Sequence, residues 1–426
     1  MARRVAVFGA GYIGLVTAAC LAELGHTVTV RDIQAARIDA LHAGRVPIHE
    51  PGLDELLSTN AERLSFTLDA AEAIDGAEVA YVCVDTPPTP SGDADLSRVW
   101  AVVEALKGAP QLAAVVVQST VPVGTGARVR SVLNESGLAH VGYASNPEFT
   151  AEGRAVTDFM TPDRIVIGTA DTATAQLVAE LHAGVSAPIE VMDVASAEMV
   201  KLASNAALMT RISFINEIAV LCELTCADDE RVSTAVGLDH RIGPHFLQAG
   251  IGWGGSCFPK DSEALKQLAS NTGHHPQLLN AVIEVNNLQK RRAIQTLKTA
   301  LGTLEGAQIA LLGMTFKPGT DDMRESPSTV LASRLIAEGA KVRTWDPLAN
   351  PAGEPWTSTV RCDTALEAMS GADAAILATA WPELKAVDWA EARALMRFPV
   401  VYDGRNLLEP AAMRELGFTY ISVGRP

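Results

Sequence analysis

Residues 5–32 read VAVFGAGYIGLVTAACLAELGHTVTVRD, and this stretch decides the fold. Val5 to Phe8 is an apolar run that predicts a buried β-strand. Gly9-Ala10-Gly11-Tyr12-Ile13-Gly14 then turns the chain, Leu15 to Leu24 has helical spacing, and Thr27 to Val30 predicts a second strand ending at Arg31-Asp32. Strand, helix, strand in that order is the unit of a parallel sheet. The glycines let the backbone approach a ligand closely, and the helix after them turns its N-terminus toward a pyrophosphate. Asp32 closes the second strand, where a carboxylate accepts hydrogen bonds from ribose hydroxyls. The expectation is a dinucleotide site in which the charge of Asp32 selects NAD over NADP. Alternation along the strand points Arg31 away from Asp32. Arg37 either flanks the adenosine or is an ordinary solvated helix charge.

Outward from this unit, Val79 to Val84, Val115 to Gln118 and Ile165 to Gly168 predict further buried strands, so the first half is a doubly wound sheet. Between Ala195 and Leu301 the strand-like runs stop, and Glu198 to Glu223 is a long helix-favouring stretch without glycine or proline. The opening rhythm returns at Ile309 to Gly313 and Lys341 to Asp346, followed by strands expected at Ala374 to Ala378 and Val400 to Asp403. The fold class expected is α/β: two Rossmann-like doubly wound domains joined by a central helical domain. The boundaries are set at residues 1–195, 196–301 and 302–426. Gly313 has no glycine fingerprint after it, so the second α/β domain is expected to hold a different, nucleotide-like ligand.

The 426 residues, 48% hydrophobic and 20% charged, suit a soluble enzyme of two or three domains. No run approaches the roughly 18 apolar residues of a membrane helix, and a net charge of −16 opposes nucleic-acid binding. Neither membrane nor nucleic acid is expected as a partner. The six cysteines, at 20, 83, 222, 226, 257 and 362, have neither zinc-site spacing nor the density of a disulfide scaffold, so no metal is expected and a reduced cytoplasmic protein is. An anionic substrate needs a local basic pocket.

Gly252-Trp253-Gly254-Gly255-Ser256-Cys257-Phe258-Pro259-Lys260-Asp261 sets a cysteine directly before a helix expected to start at Pro259. The helix N-terminus and Lys260 both favour thiolate there. Lys201 and Asn205, four residues apart on the long helix, can face one reacting oxygen and stabilise charge developing on it. Asp261, one turn beyond Cys257, either assists proton transfer or is a first-turn acid favoured by the helix dipole.

These motifs resemble the UDP-glucose/GDP-mannose dehydrogenase family from the first strand to the last. The matching segments are GAGYIG at 9–14, PIHEPGLDELL at 47–57, STVPVGT at 119–125, NPEF at 146–149, KLASNA at 201–206, GGSCFPKD at 254–261, FKPGTDDMRESP at 316–327 and DGRN at 403–406. CFPKD, rather than CLPKD, makes the sequence more similar to the UDP-glucose branch. The resemblance implies a homodimer formed through the central helices. It also implies the removal of two hydrides from a sugar's sixth carbon to two NAD molecules, through a thiohemiacetal and a thioester on Cys257. The nucleotide sugar expected is UDP-glucose, oxidised to UDP-glucuronate. The same chemistry on dTDP-glucose, GDP-mannose or UDP-N-acetylmannosamine, and a two-electron hydroxyacid-type dehydrogenase with no need of Cys257, stay open. A nucleotide-sensing module would lack the cysteine. Sugar acids of this kind commonly enter polysaccharides or secondary metabolites.

By the same resemblance, Glu148 is a candidate base for thioester hydrolysis, Thr120 helps to hold the water, and Glu152 borders both nicotinamide and sugar. Nothing in the sequence separates a base at Glu148 from one at Asp261. The cofactor side further takes in Tyr12, Ile13, Thr86, Pro87, Ser119, Lys260 and Arg324. The substrate side takes in Phe149, Thr150, Arg241, Phe246, Leu247, Gly252, Trp253, Gly254, Lys317 and Arg405, with Arg241 reaching across the dimer. The sequence departs from the family where Thr150-Ala151 replaces leucine and a basic residue, where Asp85 replaces a common glycine, and where Ala249 replaces a common proline. These departures are expected to bear on which nucleotide or sugar fits and to spare the chemistry.

Overall fold

The computed structural model describes residues 2–425. They form two compact units: the first runs to Ser204 and takes in Glu263–His274, and the second comprises Asn205–Ser262 and the chain from His275 onward. The divide falls inside two continuous helices, Val194–Thr225 and Phe258–Asn271.

The first unit is built on eight strands: β1 Arg4–Phe8, β2 Thr27–Arg31, β3 Leu64–Thr67, β4 Val79–Val82, β5 Ala114–Val117, β6 Gly142–Ser145, β7 Ile165–Gly168 and β8 Ile189–Met192. Their order is β3-β2-β1-β4-β5-β6-β7-β8, parallel throughout except between β6 and β7. The reversal of strand order lies between β1 and β4, the crevice where such sheets bind ligands at the carboxyl ends of their strands. Side-chain alternation feeds two cores. Val5, Val7, Val28, Val30 and Tyr81 pack on one face of the sheet, and Ala6, Phe8, Ala80, Val82 and Val115 on the other. Both faces of β1, β4 and β5 are buried, which is why these three read as continuous apolar runs, whereas β2, TVTVR, alternates.

In the second unit β9 Gln308–Leu312, β10 Lys341–Trp345, β11 Val360–Arg361, β12 Ala374–Leu377, β13 Val400–Asp403 and β14 Thr419–Ser422 form a wholly parallel sheet. Its order, β11-β10-β9-β12-β13-β14, repeats that of the first six strands. Ile309 and Leu311 face one core while Ala310 and Leu312 face the other. No strand lies between Met192 and Gln308 among the described residues, and helices Asp229–Gly237 and Gln277–Leu301 accompany the two shared ones. The α/β class and the doubled Rossmann-like topology are those expected. Every strand read from the sequence is present, with ends shifted by at most two residues; β3, β6, β8, β11 and β14 are additional. Among the described residues no helix is long and apolar enough to cross a membrane.

Candidate functional site

At the tip of β1 three glycines serve three different purposes. Gly9 has φ +112°, and a Cβ on it would stand 2.5 Å from the Cys83 carbonyl oxygen. A Cβ on Gly14 would stand 1.8 Å from the Gly9 carbonyl oxygen, so the first helical turn packs on the glycine turn itself. A Cβ on Gly11 would meet nothing within 4 Å, which leaves open space in front of the turn. Helix Tyr12–Glu23 starts there without a side-chain cap, so its orienting amides are offered to a ligand. Asp32, buried at the end of β2, accepts from the Ala10 amide at 2.7 Å and the Gln34 amide at 2.8 Å, with the Arg37 guanidinium at 3.5 Å. Arg31 points elsewhere, donating to the Leu68 carbonyl at 3.2 Å. A tight turn, an open front and a fixed carboxylate fit the pyrophosphate and ribose of NAD.

The carboxyl ends of β4, β5 and β6 supply the remaining expected residues of this unit. The Thr86 hydroxyl donates to the Thr120 carbonyl at 2.8 Å, and the Ser119 hydroxyl to the Val84 carbonyl at 2.7 Å, tying the two loops together. Pro87 accepts from the Asp95 amide at 2.8 Å. Beyond β6, Glu148 meets Lys201, Nζ to Oε1 2.7 Å, with both side chains buried. The other oxygen, Oε2, accepts from the Thr150 amide at 2.7 Å and the Thr150 hydroxyl at 2.8 Å. Burial pushes this carboxyl's pKa up, but the Lys201 ammonium and the two Thr150 donors outweigh it and hold the group below the usual carboxylate range. The Phe149 ring lies under the Arg164 guanidinium at 3.8 Å, with Lys201 Nζ 5.8 Å from its centroid. Arg164 is thus a cation beside the loop where Ala151 leaves the expected basic contact out.

Two buried glutamates that the sequence did not single out hold these loops. Glu50 accepts from the Gly153 and Ala155 amides at 2.7 and 2.8 Å, fixing the segment that carries Glu148, Thr150 and Glu152. Glu198 accepts from the Gly124 and Gly126 amides at 2.7 Å each, fixing the turn after Thr120 from the helix that carries Lys201. Glu50 stands in the quoted segment at 47–57 and Glu198 opens the long helix-favouring stretch, but nothing in either position marks the acid as a holder of loop amides.

In the second unit Cys257 directly precedes helix Phe258–Asn271, one residue earlier than the expected start, and its carbonyl accepts from the Asp261 amide at 2.8 Å to close the first turn. The Asp261 carboxylate is buried, with Oδ2 accepting from Asn205 at 2.6 Å and Oδ1 2.8 Å from Lys260 Nζ. The preceding loop has to be glycine. A Cβ on Gly252 would stand 2.5 Å from Asn286 Oδ1, one on Gly254 2.2 Å from the Glu325 carbonyl oxygen, and one on Gly255 2.8 Å from the Phe316 ring.

This loop walls a cavity of about 370 Å³ whose lining includes Phe246, Gly252, Trp253, Gly254, Phe316 and Arg405. Phe246 holds φ +62°, a strained conformation for an aromatic residue. Arg405 donates to the carbonyls of Ala378 at 2.7 Å and Gly252 at 3.1 Å, and burial lowers its pKa to about 10. Of the other residues expected on the substrate side, Leu247 is core, Lys317 sets its Nζ 5.4 Å from the Phe316 ring, and Arg241 is exposed and paired with Asp239 at 2.6 Å. Arg324 pairs with Asp322 at 2.8 Å. Ile212, His245, Gln248, Phe258 and Phe316 also line the cavity and were missed; of these, Phe258 and Phe316 stood inside quoted motifs.

The chain matches the NAD binding domain of the UDP-glucose/GDP-mannose dehydrogenase family over residues 3–186, its central domain over 195–288 and its UDP binding domain over 310–410. It is 45% identical to a UDP-glucose 6-dehydrogenase of Pseudomonas aeruginosa, covering 99% of this chain and 98% of that one. It is 42% identical to a UDP-glucose 6-dehydrogenase of Bacillus subtilis, covering 100% and 94%. Among solved structures, a UDP-glucose dehydrogenase from Pyrobaculum islandicum superposes with a TM-score of 0.93 at 38% identity over 100% of this chain and 98% of that one. A UDP-D-ManNAc dehydrogenase from Pyrococcus horikoshii gives 0.89 at 30% over 99% of each. With three matched domains spanning most of its length, the chain belongs to the UDP-glucose/GDP-mannose dehydrogenase family.

Proposed function

We propose that the chain oxidises UDP-glucose to UDP-glucuronate in two successive two-electron steps, with Cys257 as the nucleophile that holds the sugar between them. The observation that carries this is the placement of Cys257: it heads a helix and lies between Gly254 and Phe258, both of which line the second unit's cavity. NAD, bound afresh for each oxidation, would accept one hydride each time, and Gly9, Gly11 and Gly14 would hold its pyrophosphate and Asp32 its ribose. The thiolate adds to the aldehyde left by the first oxidation, and the resulting thiohemiacetal can give up a second hydride that a bare aldehyde yields poorly. Lys201 and Asn205 steady the oxygen charge that develops in these steps. Water then cleaves the thioester, its oxygen going to the new carboxylate and the Cys257 sulfur leaving as thiolate. Glu148 takes the proton, with Thr120 holding the water; its lowered pKa keeps it in the accepting form at neutral pH. Asp261, its two oxygens engaged by Asn205 and Lys260, orients those groups.

Phe246, Gly252, Trp253 and Arg405 receive the nucleotide sugar, and Arg405 supplies the positive charge that a protein of net charge −16 must concentrate for a diphosphate. A homodimer is supported by Phe214, Leu221 and Leu224, which stand 51%, 52% and 76% exposed along helix Val194–Thr225. Six free cysteines support a reducing, cytoplasmic setting, and the uronate product suits polysaccharide synthesis. The test is the NADH formed per molecule of limiting UDP-glucose with NAD in excess. Two are expected, whereas one would remove the thioester from the reaction and none would remove UDP-glucose.

A further inference from the structure

Helix Gln277–Leu301 buries three consecutive polar side chains of its inner face against the glycine loop, Asn286, Gln289 and Lys290. Two of them are satisfied. Asn286 accepts from the Trp253 amide at 2.8 Å and donates to its carbonyl at 3.1 Å, and Gln289 donates to the Gly250 carbonyl at 2.9 Å. Lys290 is not. It is 8% exposed, makes no hydrogen bond or ion pair among the described residues, and sets its Nζ 6.0 Å from the Trp253 ring centroid. The charges acting on it are Glu325, which attracts it, and Arg405, which repels it; burial pushes its pKa down.

An ammonium has three donors, and holding it on a largely buried side chain without protein acceptors is unfavourable. A second buried cation makes the position worse: Arg405 is held by carbonyls, and although the Asp403 carboxylate attracts it, its charge still repels Lys290. Both cations bear on the same loop: Arg405 and Trp253 line the cavity, and Gly254 packs on the Glu325 backbone. Two concentrated positive charges beside a pocket, one of them without a partner, match a ligand that brings its own negative charge.

We propose that Lys290 is an anion-affinity residue of this pocket, its charge kept, together with that of Arg405, for the diphosphate of the nucleotide ligand. This rests on the reading that the pocket takes a nucleotide sugar. A lysine retained for binding rather than for folding leaves a double signature. Its replacement by an apolar side chain of similar length weakens anion binding and stabilises the ligand-free protein.

The full chain and its Lys290→Met and Lys290→Arg variants are titrated calorimetrically with UDP, uridine and inorganic pyrophosphate, and melted without ligand. In Lys290→Met, UDP and pyrophosphate are expected to bind about tenfold more weakly, uridine is expected to bind as before, and the melting temperature is expected to rise. Lys290→Arg is expected to keep the anion affinity. Wild-type affinity of Lys290→Met for both anions overturns the proposal, and so does an equal loss for UDP and uridine with a lowered melting temperature. Should wild-type protein prefer UDP no more than uridine, the nucleotide-sugar reading fails, and the pyrophosphate comparison still decides the role of Lys290.

Discussion

Thr150→Val removes a single hydroxyl from the first unit, and its effect can be worked from the hydrogen bonds around Glu148. That hydroxyl donates to Oε2 at 2.8 Å, the Thr150 amide donates to the same oxygen at 2.7 Å, and Lys201 engages Oε1 at 2.7 Å. A hydrogen bond to a charged group contributes about 1.5–3 kcal/mol, which corresponds to roughly one to two pH units in the carboxyl's pKa. Burial raises that pKa and the donors together depress it below its ordinary 4.5, so removing one donor moves it back upward. A depressed folded-state pKa stabilises the protein at every pH above the unfolded value, and the contribution is lost as the pH falls through the folded one. The variant is therefore expected to be destabilised by a constant amount from neutral pH down to about pH 5, with the deficit shrinking at lower pH. In a unit of this size, 2 kcal/mol corresponds to roughly 4–8 °C in the melting temperature. Melting curves of both proteins at closely spaced pH values between 7 and 3 measure it. A deficit of the same size at pH 7 and pH 3 refutes the charge-assisted bond, and no deficit at either refutes the bond itself.

Two further substitutions test the chemistry and the cofactor. Cys257→Ser is expected to lose nearly all turnover and to accumulate a sugar ester on the protein, detectable by intact mass, because an alkoxide leaves an ester less readily than a thiolate leaves a thioester; turnover close to that of the wild type would end the role of Cys257. Asp32→Ala is expected to weaken NAD about tenfold and to narrow the gap between NAD and NADP, and it also strands the Ala10 and Gln34 amides. An unchanged ratio of kcat/KM for the two cofactors would show that Asp32 does not meet the ribose.

The strands legible in the sequence are those buried on both faces, such as Val79–Val82 and Ala114–Val117, because such burial demands an unbroken apolar run. Those that escaped lack that signature: Ile189–Met192 and Val360–Arg361 are mostly exposed, and Gly142–Ser145 reads GYAS, its apolar pair closed in by a glycine and a serine. The glycine turn with Asp32 was readable because one local unit holds all of its parts. Partners were not. Lys201 lies 53 residues from Glu148, and Asn205 lies 56 from Asp261, so helical spacing singled out the two helix residues while only the fold joined each to its carboxylate. Thr150 stood out as a departure without its hydroxyl's target being visible, and Lys290, followed by two arginines in QKRR, reads like a solvated charge.

The two sheets share one topology but treat the same aspartate differently, and the difference explains why only the first suits a dinucleotide. Gly9 and Gly313 both hold left-handed backbone, φ +112° and +99°, and both donate to the end of the neighbouring strand, at 2.8 Å to Arg31 and 2.7 Å to Trp345. Each neighbouring strand is followed by an aspartate. Asp346, however, takes six donors: the amides of Met314, Thr315, Leu348 and Ala349, the Thr315 hydroxyl and the Trp381 indole. A carboxylate offers about four lone-pair sites, so nothing is left for a ribose. A Cβ on Gly313 would also stand 2.4 Å from the Thr379 side chain, and the next helix begins only at Pro327, whereas the first unit's begins at Tyr12. Asp32 takes one amide on each oxygen and a longer contact from Arg37, and so keeps acceptor capacity. In the second sheet the corresponding carboxylate is structural, and the loop beyond Gly313 instead brings Phe316 to the cavity that Arg405 also lines.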